Sequence, residues 1–185
     1  LPRWYYGCSS GACVAATLPV AQQVTNPISR FATDNNGLVI DLPAVAATGA
    51  ASVTGTMTFG IGSQSNNLLG SAQVLPSNSM TGFVSTAFQG QTYSTSFIDS
   101  GSNGLFFALS SVPRCGAWFC PTAVQSLAAT VAGGNGATSN VTFTIGNATS
   151  LFGSGNNAFS NLAGPASNYF DWGLPFFFGR RIFTA

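Results

Sequence analysis

The chain has 185 residues, of which 45% are hydrophobic and only 5% are charged, and its formal net charge is +1. Soluble domains usually carry about 25% charged residues, so Ser, Thr, Asn, Gln and Gly must supply most of the polar surface here. Five scattered Arg residues form no basic stripe, which argues against nucleic acid as a partner. No apolar run approaches the roughly 20 residues that cross a bilayer, so no membrane span is expected.

Residue types that drive many enzyme mechanisms are missing from this sequence. It contains no His, Lys or Glu, and its four acids are all Asp. A Ser-His-Asp or Cys-His arrangement therefore has no base, and a Lys nucleophile is excluded. No Gly-rich loop is followed by a Lys that would bind phosphate. We expect no cofactor and no metal, which leaves the aspartates as the candidate catalytic groups.

The four cysteines form two close pairs along the chain. Cys8 and Cys13 bracket four residues, as do Cys115 and Cys120. This spacing is wider than the Cys-x2-Cys of zinc sites, and there is no His to complete such a site. We predict two local disulfides, Cys8–Cys13 and Cys115–Cys120, each contributing roughly 2 kcal/mol in the chain-entropy model. Disulfides indicate an exported protein in the periplasm, at the cell surface or outside the cell.

Hydrophobic residues recur with a period of two through most of the chain, which predicts β-strands. Residues 1–35 are predicted to form a mostly irregular connecting segment that contains the first disulfide loop. The predicted strands cover residues 38–42, 54–61, 71–75, 82–88, 92–98 and 141–145, with polar turns at 34–37 and 89–91. The sequence therefore predicts an all-β lobe over residues 36–185.

One helix is predicted, over residues 122–132. Pro121 stands before its start, and Gly133-Gly134 follows its end. Four apolar residues recur within it at helical spacing, namely Val124, Leu127, Ala128 and Val131. Residues 146–168 are rich in Gly, Asn and Ser and are predicted to form a long loop.

The central motif is the stretch Ile98-Asp99-Ser100-Gly101-Ser102, which joins two apolar strands. A carboxylate placed between two apolar runs is expected to be partly desolvated, as carboxylates in functional sites often are. The alternative is an exposed hairpin, because Asp, Ser, Gly and Asn are ordinary turn residues.

Five segments follow one another in a recognisable order. They are a strand with a Gly-rich end at 55–62, the loop at 98–102, the predicted helix at 121–132, the strand Val-Thr-Phe-Thr-Ile at 141–145 and a closing aromatic segment at 172–180. This order resembles the C-terminal lobe of pepsin-like aspartic proteases, whose loop has the pattern hydrophobic-Asp-Thr/Ser-Gly-Thr/Ser. The closing segment of that family is of the type Trp-Ile-Leu-Gly-Asp-x-Phe-x-Arg.

The resemblance implies that Asp99 is one of two paired carboxylates that share a proton and activate water for peptide hydrolysis. Ser100 would then hydrogen-bond across the lobe interface, and Gly101 would allow the turn backbone to approach its partner closely. Ser102 would bond the outer oxygen of the Asp99 carboxylate. Leu174-Pro175 stands where the family has a Leu-Gly pair that closes the loop.

A second catalytic acid is not evident in this sequence. Asp171 lies near an apolar motif, but its Trp-Gly-Leu-Pro context does not resemble a second Asp-Thr-Gly. Asp34 and Asp41 lie in turn and strand contexts and are predicted to be structural. The second acid would therefore come from an N-terminal lobe of the same precursor or from a second copy of the chain, and the substrate would be a peptide or protein.

A closer resemblance is carried by residues 34–37, 59–67, 99–104 and 170–176. These segments are similar to a family of exported bacterial proteins of unknown function, found mainly in betaproteobacteria and related to the aspartic-protease fold. Members of that family carry a first Asp-Thr-Gly-type motif in an upstream half, so this chain is expected to correspond roughly to the second half.

Two functional hypotheses follow from these observations. The first is an exported aspartic endopeptidase that uses Asp99. The second is a non-catalytic structural, adhesive or assembly protein of the cell surface. The low charge and the abundant aromatic residues of the chain suit such a role.

Overall fold

The computed structural model describes residues 5–185 and shows, over that range, fourteen strands, one α-helix and three short 3-10 helices. The strands are β1 (Tyr5–Ser9), β2 (Ala12–Ala16), β3 (Leu38–Leu42), β4 (Thr56–Phe59), β5 (Val84–Phe88), β6 (Gln91–Ile98), β7 (Leu105–Phe107), β8 (Arg114–Cys115), β9 (Trp118–Phe119), β10 (Gln125–Ala132), β11 (Thr138–Ile145), β12 (Ala163–Pro165), β13 (Asp171–Trp172) and β14 (Arg180–Thr184). The helix α1 is Ala148–Gly153, and the 3-10 helices are Val20–Gln22, Pro27–Arg30 and Leu174–Phe176. The predicted β-rich class is confirmed.

The main sheet has seven strands in the order β11-β10-β5-β6-β13-β7-β12. One side, from β11 to β6, is antiparallel throughout. The other side is mixed, because β13 runs parallel to β6 and antiparallel to β7, and β12 runs parallel to β7. The strand β13 therefore lies between β6 and β7, which are consecutive in sequence. The loop containing Asp99 joins β6 to β7 and crosses the end of β13.

Three smaller sheets complete the fold of the described residues. In one of them β14 pairs with β3, and β3 pairs with the edge strand β4. The other two are short hairpins, β1–β2 and β8–β9, and each carries a disulfide. The predicted pairings Cys8–Cys13 and Cys115–Cys120 are confirmed. No helix in the described range is long and apolar enough to cross a membrane.

The core lies against the main sheet and is dominated by aromatic side chains. Phe107, Phe119, Phe170 and Trp172 are all completely buried. The rings of Phe107 and Phe170 stack at 4.8 Å between centroids, and those of Phe170 and Trp172 stack at 4.4 Å. Large rings bury much apolar surface, and offset stacking adds further stabilisation. A second, smaller cluster packs Ala148, Leu151, Phe159 and Leu162 together around α1.

The prediction of a helix over residues 122–132 is wrong, because this segment contains the strand β10. Its apolar residues fit a helical spacing, but β10 hydrogen-bonds to β11 on one side and to β5 on the other. Burial along the strand alternates: Ala129 and Val131 are buried, whereas Ala128 is exposed. Val124, assigned to the apolar face of that helix, is 54% exposed. Pairing with two neighbouring strands outweighs the weak helix preference of an Ala-rich segment.

Three further predictions are corrected by the structure. The predicted strand at 71–75 is not one; residues 71–74 are exposed and present no buried face. The predicted loop at 146–168 contains α1, capped by the Asn147 side chain, and also β12. The segment 1–35 was predicted to be mostly irregular, but its described part contains the β1–β2 hairpin; residues 1–4 lie outside the described residues. The other predicted strands and both turns are present, with boundaries shifted by a few residues.

Candidate functional site

Asp99 lies directly after β6, where the backbone leaves the sheet. Its carboxyl is held at both oxygens: the Gly101 backbone N–H donates to Oδ1 at 2.8 Å, and the Ser102 hydroxyl donates to Oδ2 at 2.9 Å. Asp99 and Ser102 are half-buried, whereas Ser100 and Gly101 are exposed. Two donors from its own loop therefore fix the orientation of a carboxyl that solvent can still reach.

The glycine of this loop is packed against the carboxyl that it binds. A Cβ atom at Gly101 would lie 3.1 Å from Asp99 Oδ1, which is a tight contact. The absence of a side chain thus lets the Gly101 backbone N–H approach the carboxylate closely. The partner that Gly101 approaches closely is therefore Asp99 of its own loop.

The last residue of β13 and the residues that follow it hold the Asp99 loop in place by backbone hydrogen bonds. The Asp99 backbone N–H donates to the Trp172 carbonyl at 3.1 Å, and the Leu174 N–H donates to the Ser102 carbonyl at 2.7 Å. Between these bonds, a Cβ atom at Gly173 would lie 2.0 Å from the Gly104 carbonyl oxygen and 2.8 Å from that of Ser102. Only glycine fits under the loop at this position.

Leu174-Pro175 stands where the resembled family has the Leu-Gly pair that closes the loop, which predicts weakened support for the loop, but the residue in close contact with the loop is Gly173. Pro175 lies within the short 3-10 helix Leu174–Phe176 and is not the residue under the loop. Proline is well accommodated at the start of a helix because its missing N–H needs no partner there. The proline therefore does not remove the support of the Asp99 loop.

Asp171, which the sequence did not indicate as a site residue, is a buried acid next to the Asp99 loop. It lies on β13 opposite Phe97 of β6 and Phe106 of β7, and only 4% of its surface is exposed. Its Oδ1 atom is buried and has no hydrogen-bond partner among the described residues. The sequence feature that could have indicated Asp171 is its position between two aromatic residues, Phe170 and Trp172, in a chain with only four acids.

Burial raises the pKa of Asp171 from its ordinary value of 3.8 to about 6. Hydrogen bonding by the Ser102 side chain opposes this shift, and the negative charge of Asp99 adds to it. The structure thus brings Asp99, Ser102 and Asp171 together, although Asp171 is distant from the other two in sequence. Because desolvation disfavours the charged form, a substantial fraction of Asp171 is neutral in mildly acidic solution.

The remaining two acids lie away from this cluster. Asp34 adopts a positive φ of 55° in its turn and accepts hydrogen bonds from the side chains of Ser63 and Gln64. Asp41 lies on β3 opposite Arg181 of β14. Neither contacts the Asp99 loop in the described structure.

Within residues 5–185, no group of three or more His, Cys, Asp or Glu side chains is arranged to hold a metal ion. The cysteines there are all paired in disulfides. The polar groups of the site are the Asp99 and Asp171 carboxyls, the Ser102 hydroxyl and the backbone donors of the loop.

Replacing Asp171 by Asn is expected to remove a pH dependence of stability. Between pH 4 and 6 the folded chain holds a proton that the unfolded chain has released, so stability should fall as the pH rises through this range and level off above it. The difference between pKa values of 3.8 and about 6 corresponds to roughly 3 kcal/mol. Urea unfolding should show Asp171→Asn close to wild type at pH 4 and more stable than wild type at pH 7.

Asp41→Asn is the control for this comparison, because it removes an exposed acid remote from the loop. Its stability relative to wild type should change little between pH 4 and pH 7. A stability difference between Asp171→Asn and wild type that is the same at both pH values would contradict the assignment of a raised pKa to Asp171.

Comparison with known protein families gives one match. A family model described as "Protein of unknown function (DUF3443)" matches residues 1–185. Searches of curated proteins and of solved structures found no match.

Proposed function

The chain belongs to the DUF3443 family, and we propose that it is a pepsin-like lobe of an exported, aspartic-protease-like protein that hydrolyses peptide bonds. In this proposal Asp99 is one of two paired carboxylates. The other is supplied by an N-terminal lobe of the same precursor or by a second copy of the chain.

The observation that carries the proposal is the way the Asp99 carboxyl is held. A carboxylate that activates water must be reachable, and its oxygens must be fixed relative to the substrate. Gly101 and Ser102 supply one donor to each oxygen, and half-buried Asp99 remains accessible at the end of β6. Fixed donors of this kind keep the carboxylate oriented without the reorganisation that solvent would require.

The topology around the loop supports the same proposal. The closing segment of the pepsin-like resemblance begins at Trp172, the last residue of β13, and β13 is inserted between β6 and β7 beneath the loop. Gly173 packs closely against the Ser102 and Gly104 carbonyls of the loop. Two of the segments that carry the resemblance in sequence, the loop at 98–102 and the closing segment, are thus in contact in space.

Asp171 does not replace the second carboxylate in this proposal. With 4% of its surface exposed, it cannot contact a substrate, whereas a second catalytic acid must face the same water as Asp99. Two such acids close together share one proton, so that one activates the water while the other protonates the leaving group. The disulfides fit the oxidising compartment that export would provide.

Cleavage of an unfolded protein by the full-length gene product tests this function. We expect cleavage within the range of pH 3 to 7, and Asp99→Asn is expected to lower its rate by about 100-fold or more, because Asn cannot accept the proton of the attacking water. Asp41→Asn is the matched control and should retain the wild-type rate. Equal cleavage by wild type and Asp99→Asn, or no cleavage at any pH in this range, would contradict the proposal.

A second candidate is a non-catalytic assembly module, favoured by one exposed apolar surface. The edge strand β4 exposes Met57 and Phe59, and the Phe59 ring contacts that of Phe31 edge-on at 5.0 Å. Exposed apolar edge strands are ready sites for pairing with another chain. If Met57→Lys shifts a self-association equilibrium measured by sedimentation while no cleavage is detected, the assembly function is supported over hydrolysis.

A further inference from the structure

The Ser102 hydroxyl lies near two carboxyl groups. Its single hydrogen is donated to Asp99 Oδ2 at 2.9 Å, and the Ser102 side chain also lies close enough to the Asp171 carboxyl to lower the pKa of that group. A serine hydroxyl has one donor but two acceptor lone pairs. It can therefore donate to one carboxylate only, but it can accept a hydrogen bond from a second, protonated carboxyl at the same time.

The surroundings of Asp171 favour a protonated carboxyl. Its Oδ1 atom is buried without a hydrogen-bond partner among the described residues, and its register partners are Phe97 and Phe106. On β6, on β7 and on the loop that joins them, Asp99 is the only charged group, and the one other titratable side chain, Tyr93, contacts Phe170 in the core. No cation on these elements offsets the charge of an ionised Asp171, so ionisation there is unfavourable.

We propose that Asp171 is a positioning residue that holds a proton for the Asp99 loop and acts through Ser102. The protonated Asp171 carboxyl donates to Ser102 Oγ, and the Ser102 hydroxyl donates to Asp99 Oδ2. When Asp171 releases its proton to solvent, it becomes an acceptor and competes with Asp99 for the Ser102 hydrogen. Asp99 then keeps the Gly101 donor but no longer has exclusive use of the second one.

The direction of this hydrogen-bond chain links the loop to pH. In acidic solution the Ser102 hydroxyl accepts from Asp171 and donates to Asp99, so that Asp99 is held at both oxygens. Above the titration of Asp171 the Ser102 hydroxyl is shared, and the orientation of Asp99 becomes less fixed. The inference rests on the proposed function only for its catalytic consequence, since the proposed hydrogen-bond chain does not depend on peptide cleavage.

The composition of the chain makes a direct test practical. Its four Asp residues and the absence of Glu mean that labelling with 13C-aspartate gives four side-chain carboxyl signals in NMR spectra, which single Asp→Asn variants assign. We expect the Asp171 signal to titrate with a midpoint of about 6. The Asp99 signal should show an inflection at the same pH, and this inflection should disappear in Asp171→Asn.

Two serine variants test the role of the hydroxyl. Ser102→Ala should remove the shared inflection from the Asp99 signal, and Ser102→Thr, which keeps a hydroxyl, should restore it. The Asp34 signal is the internal control and should be unchanged in all of these variants. An Asp171 midpoint near the ordinary value of about 4 would overturn the inference. A shared inflection that persists in both Asp171→Asn and Ser102→Ala would also overturn it.

Activity measurements separate this inference from the proposed function. If the full-length protein cleaves peptides, the rate of Asp171→Asn should extend to higher pH than that of wild type, because an Asn amide donates to Ser102 at every pH. Identical pH profiles would overturn the inference and leave the proposed function standing. A shared NMR inflection in a protein without cleavage would support the hydrogen-bond chain and contradict the proposed function.

Discussion

Gly173→Ala is expected to lower the free energy of unfolding by at least about 3 kcal/mol, because a Cβ atom at this position collides with backbone rather than with a movable side chain. The new atom would lie 2.0 Å from the Gly104 carbonyl oxygen and 2.8 Å from that of Ser102. Gly173 has an ordinary φ of −68°, so the effect is purely steric and involves no backbone preference. Relief requires the Asp99 loop and β13 to separate.

Urea unfolding of Gly173→Ala beside Gly153→Ala measures this effect. Gly153 ends α1, and a Cβ atom there meets no other atom within 4 Å. Gly153→Ala should therefore change stability by less than about 1 kcal/mol, toward higher stability, because alanine favours helix. If the two variants had similar stabilities, the close packing under the Asp99 loop would be disproved.

Trp172→Ala is expected to be the second severe substitution, with a loss of about 5 kcal/mol. The Trp172 side chain is fully buried and stacks on Phe170, so its removal leaves a large cavity in the core. Its indole Nε1 also donates to Thr86 Oγ1 at 3.0 Å, and Thr86 is itself completely buried. The variant therefore loses apolar contacts and leaves a buried hydroxyl without its donor.

Trp172→Phe separates these two contributions. It keeps a ring in the stack and removes the hydrogen bond, so we expect a loss of about 1 to 3 kcal/mol in urea unfolding. Tyr6→Ala, at an aromatic residue that is 64% exposed, is the control and should change stability by less than about 0.5 kcal/mol. A loss in Trp172→Phe as large as in Trp172→Ala would show that the hydrogen bond, and not ring packing, dominates at this position.

Both substitutions connect the core to the candidate site. Trp172 and Asp171 are adjacent on β13, and adjacent strand residues point to opposite faces of a sheet. The aromatic stack therefore anchors β13 from the core side, while Asp171 and Gly173 lie beneath the Asp99 loop. The position of the candidate site is consequently set by the packing of Trp172.

Local patterns were reliable where the structure itself is local. The hairpin that joins β5 to β6 at Gln89-Gly90 needs only a turn sequence between two alternating strands. The disulfides close loops whose ends are five positions apart, so no distant segment decides the pairing. The segment 125–132 shows the opposite case, because its helical spacing of apolar residues was outweighed by strands on both sides.

The sequence by itself determined a β-rich chain, two local disulfides and an aspartate at the end of a strand, because alternation, short spacing and turn chemistry act between near neighbours. Only the tertiary structure decided that β13 lies between β6 and β7, and with it that Asp171 and Gly173 meet the Asp99 loop. Burial and charge proximity depend on which distant segments pair. The raised pKa of Asp171 and the steric need for Gly173 are therefore properties of the fold, which no local pattern encodes.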